Sequence, residues 1–318
     1  MTRTPHLVGD IGATNARFAR LEEDGQPRRT RIAASDDYAD IADAIVAYLA
    51  EEDEAPPRAA ALAVASPVIG DIVQFTNHPW SFSIAELKRR LGLDRLIVIN
   101  DFTANALAVP RLREDERVAI GGGSAAAGAP IAVLGPGSGL GVSGLVQSGA
   151  RWTALASEGG HATMPASDAQ ESAVLDHMRS RFGHVSAERV LSGPGLVNLY
   201  QTLAALDGVP AQPFTAAQIA DHTTGEQEPL CAAALAMFCA MLGTVAGDLA
   251  LTLGARGGVY IAGGIVPRLG AGFAASRFRE RFEDKGRFRP YLAAIPTFVV
   301  TCPIPAFLGL AALLEDEG

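Results

Sequence analysis

The sequence predicts an α/β protein with two related halves, and three observations carry that prediction. Short apolar strand candidates alternate with segments of helical period along most of the chain. Two glycine-rich loops, Gly9-Asp10-Ile11-Gly12-Ala13-Thr14 and Gly135-Pro136-Gly137-Ser138-Gly139, each lie between two strand candidates and set Gly beside a hydroxyl residue. A length of 318 residues is enough for two domains or one large one.

The elements follow in order. His6 to Asp10 reads as a short buried strand, Thr14 to Leu21 as a second and Arg28 to Ala33 as a third. Tyr38 to Glu52 carries Ile41, Ala44, Ile45, Tyr48 and Leu49 at helical spacing. Ala59 to Ala65 is the next strand. Ser83 with Glu86 forms the capping pattern of a helix that runs through Leu91. Arg95 to Asn100 is a strand, and a helix from Phe102 to Val109 ends at Pro110. The second series has strands at Ile131 to Leu134 and Gly141 to Gln147. Helices follow at Ala169 to Phe182, Gly195 to Leu206 and Cys231 to Leu253, and a strand from Val259 to Ala262 leads into the Gly263-Gly264 turn.

Composition excludes several classes. A net charge of −9 argues against nucleic acid or an anionic membrane as a partner. It leaves room for a nucleotide, whose phosphates backbone N–H groups can hold. Cys231, Cys239 and Cys302 form no C-x-x-C pair, and His177 and His184 have no ligand partner beside them, so a reduced cytosolic protein without structural zinc is expected. The N-terminus lacks the apolar run of a signal peptide. Leu230 to Gly247 is uncharged and long enough to approach a membrane span, but it is mostly Ala, Gly, Met and Cys with no basic flank, which favours a buried helix.

Three segments point to chemistry. In Gly9 to Asn15, a strand-turn-strand would offer the N–H groups of Gly12, Thr14 and Asn15 to phosphate. Asp10 could lie near phosphate only with a metal ion to offset its charge, which implies Mg²⁺ held directly or through water. The competing reading is an ordinary hairpin turn. No Walker G-x-x-x-x-G-K-[ST] loop is present, the only lysines are Lys88 and Lys285, and no helix directly follows the first Gly turn as a dinucleotide fold requires. Asp101 follows the strand L-I-V-I-N, so it would sit at a carboxyl end, where a carboxylate could take the proton of an attacking hydroxyl while Asn100 bonds the substrate. Alternatively, Asn100-Asp101 simply caps the next helix. In Ser157-Glu158-Gly159-Gly160-His161, Glu158 and His161 flank a Gly pair that lets backbone approach a polyol, or else this is a surface turn. Glu188 could bind as well, or could lie on a solvated helix face.

Taken together and in this order, G-D-I-G-A-T-N-A-R (9–17), T-N-H-P-W (76–80), I-N-D-F-T (99–103), Gly135 to Val142, Glu158 to His161, H-V-S-A-E-R-V-L-S-G-P-G-L-V-N-L (184–199) and Y-I-A-G-G-I-V-P-R (260–268) resemble the bacterial glucokinase family of the hexokinase/actin-like ATPase superfamily. The resemblance spans essentially the whole chain. It implies a two-domain actin-like ATPase (ribonuclease H-like) fold with an active-site cleft between the domains. The small domain would be residues 1–110 plus 301–318, including a C-terminal helix from Ala306 to Leu314, and the large domain residues 111–300. It implies transfer of the γ-phosphoryl group of ATP to the 6-hydroxyl of glucose, with Asp101 as the base. Asn100, Asp101, Glu158, His161 and Glu188 fall on glucose-binding positions. Gly9 to Thr14 falls on one phosphate loop, Gly137 and Ser138 on the second, and Gly263-Gly264 on the adenosine turn. Family members are cytoplasmic and commonly homodimers.

The sequence departs from the family pattern at Ala13, where a second Gly is usual and a positive φ would strain the methyl group. It departs again at Ser157, a common Gly. No C-x-C-G-x-x-G-C run follows His161, so the zinc-bearing repressor/kinase branch is not expected. A sugar-sensing regulator is the competing class; it would carry a helix-turn-helix ahead of the phosphate loop, and only eight residues precede Gly9. Mannose, fructose or an amino sugar remains open as the acceptor.

Overall fold

The computed structural model describes residues 6–22, 25–51, 55–76, 78–221 and 229–315, so Asn77 of the T-N-H-P-W run and Glu52 at the end of the expected first helix lie outside the described residues. The chain divides into two compact units, Met1–Arg113 with Cys302–Gly318, and Glu114–Thr301.

The first unit is built on a sheet of β1 (His6–Ile11), β2 (Asn15–Leu21), β3 (Pro27–Ala34), β4 (Ala59–Val64) and, after the small hairpin β5 (Ile72–Gln74) and β6 (Ser81–Ser83), β7 (Arg95–Asn100). Its order is β3-β2-β1-β4-β7, with β1 antiparallel to β2 and parallel to β4, and β4 parallel to β7. Every residue of β4, A-A-A-L-A-V, is buried, because elements cover both faces and the small side chains let them come close. Helix α1 (Ile41–Ala50) packs Ile41, Ile45 and Tyr48 with Phe18 on one face. It begins at Ile41 rather than Tyr38 because Asp40 caps it, its Oδ1 accepting from Asp43 N at 2.8 Å. Helix α2 (Ile84–Arg90) is capped by Ser83, while Glu86 pairs with Arg89 instead of returning to the cap. Helix α3 (Asp101–Ala108) and the C-terminal helix Pro305–Glu315 lie on the other face, where Phe307, Leu310 and Leu314 meet Val8, Ala61 and Ala104. Gly309 is pressed against the carbonyl of Ala104, so a Cβ there would overlap backbone. Residues two hundred positions downstream thus fix the helix that begins at Asp101.

The second unit has β8 (Arg117–Ala119), β9 (Ile131–Pro136), β10 (Leu140–Ser148), β11 (Arg151–Ser157), β12 (Val259–Ile261) and β13 (Thr297–Val300) in the order β11-β10-β9-β12-β13-β8. Its first five strands repeat the wiring of the first unit: an antiparallel β9-β10-β11 meander, then β12 and β13 added in parallel to β9. The paired glycine loops foreshadowed this repeat, since each joins the first two strands of its sheet's antiparallel meander. Helices α4 (Ala169–Phe182), α5 (Gly193–Leu206), α6 (Ala216–Asp221) and α7 (Pro229–Leu253) complete the unit with short helical turns between residues 266 and 293. By length and composition α7 is apolar enough to cross a membrane, yet 67% of its most apolar window is buried inside the unit. Its glycines explain the composition: Gly243 and Gly247 admit the backbone of Phe278 and Phe282. Nearby, the buried Arg281 guanidinium bonds Glu171 at 2.8 and 3.0 Å and Thr244 at 3.1 Å, joining α4, α7 and the Phe278–Glu283 helix.

Candidate active site

In the first unit the β1-β2 turn is held from within. Gly12 N–H donates to Asn15 O at 2.9 Å, Ser35 N–H to Thr14 O at 2.9 Å and Ser35 Oγ to Gly12 O at 3.3 Å. The Gly12 donor is therefore spent, and Asn15 belongs to the ladder of β2 opposite Ala34. The N–H groups without a described acceptor are those of Ala13 and Thr14. Ala13 does not have a positive φ, since Arg29 alone does among described non-glycine residues, so the extra methyl causes no backbone strain. Gly9 serves by what it lacks: a Cβ would meet Leu62 Cδ2 at 2.8 Å. Ile11 is core.

Asp10 lies one residue from the end of β1 with its carboxylate 3.0 Å from Arg17 Nη1, its opposite number on β2. Burial raises its pKa, and the Arg17 charge and hydrogen bond oppose that rise. Asp101 stands just past the end of β7, in the first turn of α3. The cap of that helix is Asn100, whose Oδ1 accepts from Phe102 N at 2.9 Å and Thr103 N at 3.2 Å. The Asn100 amide nitrogen donates to Asp101 Oδ1 at 3.0 Å and to Ser66 O at 3.5 Å. Asp101 Oδ1 also accepts from Phe102 N at 2.9 Å, and no other described residue bonds Oδ2. Burial first, and the Asp10 charge second, push the Asp101 carboxyl from 3.8 up to about 7. One oxygen is thus pinned, the other is open, and the group is poised to exchange a proton near neutrality. The helix-cap reading applies to Asn100, which leaves the Asp101 carboxylate available.

Sequence reasoning missed Ser66 and Arg17 here. Ser66 Oγ accepts from Thr76 N at 3.0 Å, tying the 76–80 run to the loop that supports Asn100. Within that run Trp80 is core, donating Nε1–H to Tyr38 O at 3.3 Å.

In the second unit the glycine turns interlock. A Cβ on Gly135 would collide with the carbonyl of Ala262 and lie 2.9 Å from Gly263 N, and one on Gly263, at φ 83°, would lie 2.5 Å from Pro136 O. Gly264 is exposed with open space about its Cα. Gly137 N–H is used inside its own turn, on Gly139 O at 2.8 Å, so the donors without a described acceptor are those of Ser138 and Gly139. Glu158 precedes the 3-10 turn Gly159–His161 and His161 ends it, with both side chains exposed and 4.0 Å between Oε2 and Nε2. Ser157 serves that turn, its Oγ accepting from Gly159 N at 3.0 Å. Glu188 is not on a helix: it follows the Thr163–Ser186 bridge, and its backbone N–H donates to Gly160 O at 2.9 Å. That bond brings Glu188 to the Glu158–His161 turn, and its Oε2 reaches Leu140 N at 2.9 Å.

Two α/β units wired alike, each with a glycine turn between the first two strands of its antiparallel meander, and a carboxylate at a strand's carboxyl end, define an ATP-dependent sugar kinase of the actin-like ATPase fold. The family model for glucokinase matches residues 7–317, and the chain belongs to that family. It is 53% identical over 314 residues to the glucokinase of Aromatoleum aromaticum, covering 98% of this chain and 95% of that one. It is 54% identical over 312 residues to the glucokinase of Paramagnetospirillum magneticum, covering 98% and 97%. Among solved structures, a glucokinase from an Antarctic psychrotroph superposes with a TM-score of 0.89 at 40% identity over 99% of this chain and 100% of that one. Two more distant structures share the fold: glucokinase from Balamuthia mandrillaris in complex with glucose, TM-score 0.80 at 21% identity over 99% and 94%, and a ROK family glucokinase from Streptomyces griseus in complex with glucose and AMPPNP, TM-score 0.66 at 19% identity over 99% and 100%.

Proposed function

We propose that this protein transfers the γ-phosphoryl group of ATP to the 6-hydroxyl of glucose, giving glucose 6-phosphate and ADP, with Asp101 as general base. The observation that carries the base assignment is the Asp101 carboxyl: Oδ1 fixed by Asn100 and Phe102, Oδ2 open, and a pKa pushed up to about 7. A sugar hydroxyl is a weak nucleophile until its proton has an acceptor, and an oriented carboxylate titrating near neutrality supplies one. The phosphates would meet the backbone N–H groups of Ala13 and Thr14 and of Ser138 and Gly139, with Gly263-Gly264 admitting the adenosine. The sugar-binding roles of Asn100, Asp101, Glu158, His161 and Glu188 belong to the same reading.

Among the described residues no three His, Cys, Asp or Glu side chains gather to hold a metal ion. Asp10 and Asp101 are, however, partly buried carboxylates close enough for the charge of one to raise the pKa of the other. That pair fits Mg²⁺, which takes one or two carboxylates and draws its remaining ligands from phosphate and water. Asp10 would hold it, and the ion would neutralise charge on the transferring phosphate.

The reading includes a cytoplasmic homodimer that feeds glycolysis; a chain with only three cysteines suits a reducing compartment. The compact units support residues 1–110 with 301–318 as the small domain and 111–300 as the large one. The test is a coupled ADP-release assay with Mg-ATP across a hexose panel. Glucose should show the highest kcat/KM; a clear preference for mannose, fructose or an amino sugar, or no release with any hexose, would overturn the assignment.

A further inference from the structure

Leu140 opens β10 and is buried, with 4% of its surface exposed. Its strand partner is Pro136, whose carbonyl takes the Ile265 N–H at 3.3 Å. The Leu140 N–H is satisfied instead by a side chain from 48 residues downstream, Glu188 Oε2 at 2.9 Å. A buried N–H left without an acceptor is costly, so this contact is a structural requirement of the turn just ahead of it. Gly139 makes room for it, because a Cβ there would strike the Glu188 carboxylate. The backbone of Glu188 is anchored too, its N–H on Gly160 O at 2.9 Å and its carbonyl accepting from Ser192 Oγ at 2.8 Å. Ser192 caps α5 through Gly195 N at 3.0 Å, and the next residue, Gly193, donates its N–H to Gly137 O at 2.8 Å. The turn Gly137-Ser138-Gly139 is therefore gripped at both ends by one short segment, at Gly137 by backbone and at Leu140 by a carboxylate.

We infer that Glu188 is a positioning residue for nucleotide phosphate: Oε2 holds Leu140 N–H and thereby aims the Ser138 and Gly139 N–H groups, while Oε1, which no described group bonds, is the oxygen left for a sugar hydroxyl. This rests on reading Gly137 to Gly139 as a phosphate turn. It differs from a sugar-only role for Glu188 in one measurable way, because it makes nucleotide affinity depend on Glu188 when no sugar is present.

The experiment is calorimetric titration of the full-length protein with Mg-ADP and with Mg-AMPPNP in the absence of glucose. Glu188→Ala removes the acceptor and should weaken both nucleotides by roughly 10-fold or more, the scale of a lost charge-assisted hydrogen bond. Glu188→Gln keeps a carbonyl oxygen for Leu140 N–H and should restore nucleotide affinity to within about 3-fold of the parent, while KM for glucose rises in both variants. Amide exchange supplies a second readout: Leu140 N–H should lose protection in Glu188→Ala and keep it in Glu188→Gln. Unchanged nucleotide affinity in a folded Glu188→Ala protein, or equal loss in both variants, would overturn the inference. Ser138→Pro deletes one of the turn's own donors and separates the two failures. If it weakens nucleotide while Glu188→Ala does not, only the role of Glu188 falls. If Ser138→Pro binds nucleotide normally, the phosphate-turn reading falls with it.

Discussion

Replacing Asp101 by Asn tests the proposed chemistry and its energetic consequence in one protein. The Asn side chain has nearly the same shape and still offers Oδ1 to the Phe102 N–H and the Asn100 amide, and the cap of α3 stays on Asn100, so the fold has no reason to change. The ability to take a proton is lost, and kcat should fall by about 10²–10⁴. Stability should move the other way. Holding a carboxyl at about 7 instead of 3.8 corresponds to roughly 4 kcal/mol, at ~1.36 kcal/mol per tenfold. The sign follows from proton counts: between those two values the folded protein keeps a proton that the unfolded chain has released. Stability therefore declines as pH rises through this window, and the full penalty is present above about 7. Asn has no charge to bury, so Asp101→Asn should stabilise the ligand-free protein by up to about 4 kcal/mol at pH 8 and by clearly less at pH 5, where the folded carboxyl is already protonated. Urea unfolding at both pH values, beside the coupled kinase assay, reads both effects. The wild-type kcat/KM should show an acid limb near 7 and lose most of its plateau by pH 5, where an ordinary carboxylate base would retain nearly all of it. A folded Asp101→Asn protein with near-normal kcat would remove Asp101 as the base. One that gains no stability at pH 8 would refute the account of its pKa.

Asp10→Asn removes the like charge beside Asp101, so the midpoint of the acid limb should move below 7; burial, the larger cause, should keep it above the ordinary carboxylate value. An unmoved midpoint would show that the two carboxylates do not interact. Turnover should vanish in excess chelator and return with Mg²⁺, and activity that persists in chelator would count against a metal at Asp10. Gly309→Ala sets a methyl against the Ala104 carbonyl and should cost a few kcal/mol in urea unfolding while lowering kcat, because α3 carries Asp101; a neutral effect would mean the two helices part easily. Alkylation of the native protein followed by mass spectrometry should spare Cys231, which is fully buried, and Cys239, whose burial pushes its thiol up to about 11, while Cys302 reacts first.

Much was legible in the chain because it is local. An apolar run bounded by polar residues marks a strand, so Arg95 to Asn100 could be read directly, although only Val98 in it is buried, and with it the place of Asp101 at a carboxyl end. Two Gly-hydroxyl loops in matching positions revealed a repeat that the strand order then displayed in full. The edge strand β11 was illegible because its alternating, largely exposed residues give R-W-T-A-L-A-S no long apolar run. What no local pattern could show depends on contacts between residues far apart in sequence. Asn100 and Asp101 look interchangeable as caps until hydrogen bonds assign the cap to one and leave an open oxygen on the other. The proton affinity of Asp101 comes from being buried near Asp10, 91 positions earlier. Glu188 reads either as a sugar ligand or as an acid on a solvated helix face, and only the fold delivers to it the buried Leu140 N–H. Residue types and their order determine which groups exist and on which elements they ride; desolvation, charge proximity and the need to satisfy buried polar atoms are properties of the packed chain, and they decide which of those groups can work.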